Sequence, residues 1–391
     1  MMYFNNIKAF TVIWGLQMYC CYGQLASLKN MNMTGYSKVS IPYLKNHNKT
    51  LDVLTSITVL NIGNLNTEEM TFEVEVYFDM KWMDPRLAFK EYLNASYVLV
   101  PGETAYQHIW VPDLFIRNMK FSESSTFLTD LSGVIIYPDG FVTLSSRMRV
   151  VAHCEMDLLM FPLDSQSCNL MIVSFNYDTT VLRSLWGENP VAVDTMRDGR
   201  KSQIDTWMGL KLVETLTTEG SYVYQNSGLK FQYLIATFVL ERQTQYYILK
   251  GFIPSSLLVC LTWASFWLPT TSYPARVALI LTSFLASIVL YQGSSLHINQ
   301  MTVMQVFLLG NIALIGLTLL EYLLAVKKEH QIVKMKSIVN QTKGAKVKGV
   351  LAHNKKKMVN PVDQKARYII PLIYMVFIVT FVISVTMLSG K

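Results

Sequence analysis

Six histidines (His47, His108, His153, His297, His330 and His353) are scattered through the chain without the short spacings that metal ligands need. No G-x-S-x-G turn exposes an activated serine, and no glycine-rich loop is present to cradle a phosphate. The residue types therefore support no enzyme and imply no cofactor. Cysteine carries the chemistry that remains. Cys154 and Cys168 enclose thirteen residues, with Phe161-Pro162-Leu163-Asp164 just past the middle. Of the five cysteines, Cys20 and Cys21 fall in an N-terminal apolar run and Cys260 in a later one. That leaves Cys154 and Cys168 as the natural pair in an oxidising compartment. Closing a loop of this length stabilises by about 3 kcal/mol through chain entropy. A covalent loop with a rigid apolar and acidic tip reads as a staple and as a coupling element.

The elements that must position this loop differ on its two sides. Hydrophobic residues make up 51% of the 391 and charged residues 16%, which fits a membrane protein. The net charge of +7 is local: from 327 to 367 twelve Lys or Arg face only Glu329 and Asp363, giving +10, and the rest sums to −3. A cytoplasmic segment beside a membrane accounts for this better than a nucleic-acid surface. Lys8, the apolar run 9–22 and the small residues Gly23, Ala26 and Ser27 predict a signal peptide over 1–26.

From about 36 to 240 the texture is short alternating runs separated by turn residues. In 71–82, Phe72, Val74, Val76, Phe78, Met80 and Trp82 take one face and Glu73, Glu75, Asp79 and Lys81 the other. Tyr77 breaks the pattern as an aromatic on the polar face, either a cross-strand partner or a binding residue. The run 141–151 alternates likewise after the turn Pro138-Asp139-Gly140, with Thr143, Ser145, Arg147 and Arg149 on its polar face. Such repetition predicts a β-sandwich. Sequons at Asn32, Asn48 and Asn94 suit an extracellular domain, and a fourth at Asn340 falls in the basic segment as a chance match. Four apolar segments follow, roughly 248–268, 277–296, 303–326 and 368–388, each about the ~20 residues that cross a bilayer. The basic stretch between the last two is cytoplasmic by the positive-inside rule, so the N-terminal domain and the C-terminus lie outside.

Five motifs in order then identify a resemblance. They are Trp82-Met83-Asp84-Pro85-Arg86-Leu87, Trp110-Val111-Pro112-Asp113-Leu114, the cysteine loop, Leu240-Glu241-Arg242-Gln243, and Pro274-Ala275-Arg276-Val277. Together the sequence resembles a Cys-loop receptor subunit of a pentameric ligand-gated ion channel, closest in motifs to the anion-selective glycine/GABA-type branch. The resemblance implies a mainly β extracellular sandwich over 27–245 and an all-α four-helix transmembrane domain. Three membrane helices would span 246–326, a basic cytoplasmic loop 327–367, and a fourth helix with an extracellular C-terminus 368–391. It also implies a plasma-membrane location, synaptic sites included.

By the same resemblance the agonist sits between subunits. Tyr77 comes from one, and Phe175, Tyr222, Tyr224 and Phe231 from its neighbour, with Arg117 inside or beside the box and Ser145 and Arg147 on the strand next to Tyr77 as further members. Aromatic faces attract a cation, and the box also accepts an amino acid or an amphipathic ligand. Two departures bear on the agonist. Asp79 stands where receptors for amino-acid transmitters typically carry an arginine, and Arg117 stands where acetylcholine receptors carry an aromatic. Ala278, Thr282, Leu285, Val289 and Leu296 are implied to line the pore, although Ser283, Ser287 and Ser294 form a rival stripe. Pro274, Ala275 and Arg276 are implied to favour anions at the cytoplasmic mouth. Phe161, Pro162, Asp164, Arg242 and His297 are implied to couple binding to opening, with Glu68 or Glu69 as further members of that charge cluster. Partners would be related subunits in a homo- or hetero-pentamer, membrane lipid and permeant ions, not nucleic acid. A cation-selective member and a non-conducting or accessory receptor subunit are the competing readings.

Overall fold

The computed structural model describes residues 25–26, 28–42, 50–126, 129–194, 196–197, 200–201, 206–207, 209–269, 272–294, 300–342 and 361–389. The expected signal peptide lies almost wholly outside the described residues, as do Asn48, Leu296 and His297. The chain divides into two compact units, Met1–Met156 with Ser165–Glu241, and Asp157–Asp164 with Arg242–Lys391.

Alternation builds the first unit. Its strands are β1 (Leu51–Asn66), β2 (Thr71–Met83), β3 (Tyr97–Pro101), β4 (Leu114–Ile116), β5 (Met119–Ser124), β6 (Ser132–Ile136), β7 (Phe141–His153), β8 (Ser165–Ser174), β9 (Leu182–Val193), β10 (Leu210–Val223) and β11 (Lys230–Arg242). A helical turn, α1 (Gly102–His108), follows β3. In β2 the six apolar residues from Phe72 to Trp82 are all buried, while Glu73, Glu75, Tyr77 and Asp79 are half-buried on the other face. Each large apolar side chain buried this way contributes about 1.5–3 kcal/mol. The larger sheet runs Leu25–Ala26, β3, β6, β7, β2, β1, β9, with β5 also on β7, and the smaller runs Thr206–Trp207, β10, β11, β8, β4. Cys154 and Cys168 are bonded, with Cα atoms 5.1 Å apart, tying the end of β7 to the middle of β8. Asn32 and Asn94 are exposed, as glycosylation requires.

The first motif is a scaffold. Asp84 is fully buried and caps the 3-10 turn Pro85–Leu87 by accepting from the Arg86 N–H at 3.1 Å. The Arg86 side chain donates to both carboxylate oxygens, Nε at 2.8 Å and Nη2 at 2.7 Å. Tyr36 donates to Asp84 at 3.0 Å and accepts from the Trp110 N–H at 3.0 Å, linking the first motif to the second. Burial, the largest influence, and the adjacent Asp84 charge push the Tyr36 phenol up. Gly140, at φ +95°, closes the turn against this group; a Cβ there would lie 2.8 Å from the Asp84 carbonyl oxygen.

Helices make up most of the second unit. Among the described residues four are long and apolar enough to cross a bilayer: α2 (Gln245–Trp267), α3 (Tyr273–Ser294), α4 (Val303–Thr342, its apolar part Val303–Gln331) and α5 (Pro361–Ser389, its apolar part Val362–Leu388). Their core gathers Val259, Ile280, Ile315 and Tyr374. A π-helical turn, Ile248–Phe252, precedes Pro254, and the Ser255 and Ser256 hydroxyls both donate to the Phe252 carbonyl. Asn311 donates to Ser255 at 3.0 Å, a buried polar tie between α4 and α2. Helix covers both ends of the expected loop segment 327–367, since α4 continues to Thr342 and α5 starts at Pro361. Straight-chain Lys, Gln, Glu and Met residues after 326 keep helical propensity once the apolar run has ended.

Replacing Asp84 by Ala removes both the cap and the counter-charge. Breaking a fully buried pair costs ~3–5 kcal/mol, and a partly water-accessible Arg86 reduces this to about 2–3 kcal/mol. Thermal unfolding of the detergent-solubilised full chain should show that loss, with a smaller one for Asp84→Asn, which keeps an acceptor.

Candidate ligand site, loop tip and pore-facing stripe

The smaller sheet collects the aromatic residues. Tyr222 of β10 stacks on Phe231 and Tyr233 of β11, with ring centres 5.9 and 6.3 Å away. Residues 231 and 233 alternate onto one side of their strand, which is why both reach the same neighbour. Gly220 leaves room for this, since a Cβ there would lie 2.3 Å from the Tyr233 hydroxyl. The Arg117 guanidinium, just past β4, lies over Tyr222 at 4.7 Å from the ring centre. Its backbone N–H donates to the Met171 carbonyl at 2.7 Å.

Phe175 follows β8, is 71% exposed, and meets Phe115 of β4 edge to face at 5.7 Å. Asp113 of the W-V-P-D-L motif holds the loop that carries it. The carboxylate accepts from Ser174 Oγ at 2.6 Å, from the Asn176 N–H at 2.7 Å and from Asn176 Nδ2 at 2.9 Å. Trp110 packs on Tyr177 and Trp82 from below, at 6.2 Å each. Of the expected residues, Arg117, Tyr222 and Phe231 are thus brought together, Phe175 stands beside Phe115, and Tyr224 is exposed at a hairpin turn. Sequence reasoning missed Tyr233, Phe115 and Asp113. Their signal was the period of two, which places Tyr233 with Phe231 and Phe115 with Arg117.

The other expected face lies on the polar side of β2 and β7. Tyr77 pairs with Arg147 and Asp79 with Ser145 in the ladder. Arg147 is paired within its own sheet. Its Nε and Nη2 both donate to Glu75, and Arg149 is matched to Glu73 in the same way. Diagonal neighbours on paired strands lie within reach of long side chains, and opposite charges there find each other first. Asp79 is half-buried, and that burial pushes its carboxyl up, with the Ser145 hydrogen bond opposing. Lys81 turns instead over the Phe141 ring, at 5.2 Å. Among the described residues Asp79 has no cation partner.

The loop tip belongs to the second unit. Asp164 is buried, and Arg242 donates to both its oxygens, Nε at 2.9 Å and Nη2 at 3.2 Å, while the Arg242 N–H donates to the Asp164 carbonyl at 3.3 Å. Burial works against the guanidinium charge, but the hydrogen bonds and charge of Asp164 outweigh it and raise the Arg242 pKa. Arg242 also covers the Phe161 ring at 4.8 Å, and Phe161 meets Tyr247 edge to face at 4.9 Å. The Phe161-Pro162 bond is cis, and both residues are buried.

Two carbonyls of this tip meet α4. Leu159 accepts from the Val303 N–H at 2.9 Å and Phe161 from the Met304 N–H at 3.2 Å. These are amides that an α-helix start leaves without internal partners. The next one is served by a capping box, Gln305 N–H to Thr302 Oγ1 at 3.2 Å and Thr302 N–H to Gln305 Oε1 at 3.0 Å. The tip was expected against the linker at His297, which lies outside the described residues. Its observed partners are Arg242 and the first turn of α4. Glu69 is paired elsewhere, with Lys120 at 2.7 Å.

Helix α3 separates the two competing stripes. Arg276, Ile280, Ser283 and Ser287 are buried within the unit, and the Ser283 and Ser287 hydroxyls donate to the Leu279 and Phe284 carbonyls. Pro274, Ala275, Ala278, Thr282, Leu285 and Val289 are exposed, Leu285 at 62% and Val289 at 66%. At 100° per residue these sets occupy opposite sides. Arg276 corrects the expectation of an open cation at the mouth. Its side chain is fully buried, donating to Asp363 of α5 through Nη1 at 3.0 Å and Nη2 at 3.2 Å, and it lies 5.0 Å from the Tyr322 ring of α4. A guanidinium at this depth needs a carboxylate more than it needs water.

The family model of the neurotransmitter-gated ion-channel ligand binding domain matches residues 26–244. The chain belongs to this family, whose members are pentameric plasma-membrane receptors for small-molecule agonists, with an extracellular binding domain and four transmembrane helices. It is 29% identical over 275 residues to gamma-aminobutyric acid receptor subunit rho-2 of Homo sapiens, covering 70% of this chain and 57% of that one. It is 29% identical over 275 residues to pH-sensitive chloride channel 2 of Drosophila melanogaster, covering 67% and 52%. It is 33% identical over 225 residues to glycine receptor subunit beta-type 4 of Caenorhabditis elegans, covering 57% and 45%. The chain thus matches about half the length of these curated relatives.

Asp113 accounts for the position of the Phe175 loop. Replacing it with Ala removes a charge-assisted acceptor from the Asn176 amide, worth about 1.5–3 kcal/mol. Hydrogen exchange on the full chain should show that amide exchanging about tenfold or more faster, with β8 itself unchanged.

Proposed function

We propose that the chain is a subunit of a ligand-gated, chloride-conducting channel, assembled as a pentamer with like or related copies. The observation that carries this reading is the exposed stripe of α3. Apolar Leu285 and Val289 face away from their own subunit's helices, while serines that could have faced water are buried. A soluble helix would reverse that choice, whereas five copies around an axis form apolar rings that close a pore by dewetting. The stripe carries no acidic residue from Pro274 to Val289, and the first turn of α3 has none. With Arg276 neutralised by Asp363, anion preference falls to Pro274, Ala275 and the positive end of the helix dipole. Names among the relatives, a chloride channel and receptor subunits for gamma-aminobutyric acid and glycine, agree.

In this reading the agonist binds between copies, with Arg117, Phe175, Tyr222 and Phe231 from one and Tyr77 with Ser145 from the next. The domain over 27–245 is extracellular and the segment between α4 and α5 cytoplasmic. Binding shifts a two-state equilibrium only as far as the ligand prefers the open form. The loop tip, bonded to Arg242 and to α4, carries that preference to the helices. No step in this cycle is catalytic.

Expression of the full chain in oocytes tests the proposal. Leu285→Thr should give standing current whose reversal potential follows external chloride, near the ideal ~59 mV per tenfold change for a single monovalent ion. Ala275→Glu should move that reversal potential towards cation selectivity. Surface-expressed Leu285→Thr protein that passes no current, or a reversal potential indifferent to chloride, would reject the channel or the anion assignment respectively.

A further inference from the structure

Helix α5 carries Asp363 into the interior of the helical unit, where its two oxygens accept from Nη1 and Nη2 of Arg276 at 3.0 and 3.2 Å. Both side chains are buried, Arg276 completely. The guanidinium also lies over the Tyr322 ring of α4, and Glu321 of the same helix stands beside Asp363. Arg367, one turn further along α5, is engaged by the Phe266 carbonyl at 2.8 Å. Arg276 is the fourth residue of α3 and follows Ala275, which is exposed beside the stripe assigned to the pore. Consecutive Cα atoms are ~3.8 Å apart, so the pair is built into the wall directly behind the cytoplasmic mouth. Salt screens a buried charge far less than an exposed one. Any imbalance within the pair is therefore felt at that mouth.

We propose that Asp363, on a helix outside the pore lining, sets the chloride throughput at the cytoplasmic mouth by cancelling the charge of Arg276. The inference rests on the proposed anion channel, with α3 around the pore. While the pair is intact, five copies of it add no net charge behind the mouth. Neutralising Asp363 leaves five positive charges there, and a ring of one sign raises the local concentration of counter-ions. Neutralising Arg276 leaves five negative charges, which deplete chloride. Glu321 is common to all these cases and cancels in the comparison. Asp363 is thus a positioning residue, which acts through Arg276 and touches no ion.

Excised inside-out patches holding Leu285→Thr channels test this, with equal chloride on both faces. Inward current is then chloride leaving the cytoplasmic side, so its ratio to outward current reads the supply of chloride at that mouth. Asp363→Asn should raise the ratio about twofold or more, and Arg276→Gln should lower it by a similar factor. The double variant, Arg276→Gln with Asp363→Asn, restores a neutral pair and should return the ratio to the parent value. Loss of packing would not give opposite signs for the two single variants and cancellation in the double. A ratio unmoved by the single variants, or one that the double variant fails to restore, overturns the proposal and leaves the channel reading intact. Should both single variants fail to reach the surface while the double variant does, the pair serves folding alone and the proposal falls. Absence of standing chloride current in surface-expressed Leu285→Thr protein removes the channel reading and this inference with it.

Discussion

The ion pair between Asp164 and Arg242 is the constraint on which the membrane unit depends. Each charge is nearly removed from water, so neither can leave without stranding the other. The pair fixes the tip in place, and Phe161 is clamped between Arg242 and Tyr247. With the tip fixed, the Leu159 and Phe161 carbonyls point where Val303 and Met304 need acceptors. A helix start that borrows its acceptors from another segment cannot shift without that segment moving. The loop is thus tied by hydrogen bonds to α4 and by covalent bonds, through Cys154 and Cys168, to the strands β7 and β8.

In the β unit the most recognisable residues build the scaffold. Asp84 and Asp113 are both spent on protein partners, the first on Arg86 and Tyr36, the second on the loop that carries Phe175. Arg117 on its ring and Phe175 are left exposed, and Tyr77 and Asp79 stand half-buried on the polar face of β2. Arg147 on β7 is paired with Glu75.

Much of this was legible in the residue pattern. The period-two runs at 71–82 and 141–151 gave the buried and polar faces of β2 and β7, because a strand leaves no other way to sort its side chains. The four apolar segments gave the helices to within a few residues, except where α4 runs past its apolar part and α5 starts seven residues before its segment. The partners of charged residues were not legible. Asp363 lies 87 positions from Arg276 and Asp164 lies 78 from Arg242, and only the fold brings them together. The two stripes of α3 were equally opaque, since a serine that bonds back to its own helix is as compatible with packing as a small apolar residue.

The most direct test of the account is a double-mutant cycle on gating at Asp164 and Arg242, read from spontaneous openings in single Leu285→Thr channels. Asp164→Ala and Arg242→Ala should each shift the open–closed equilibrium substantially, and the double variant should shift it little further, with a coupling energy of about 1–3 kcal/mol. Additive shifts, or single variants whose openings match the parent, would contradict the role of the loop tip in opening the pore.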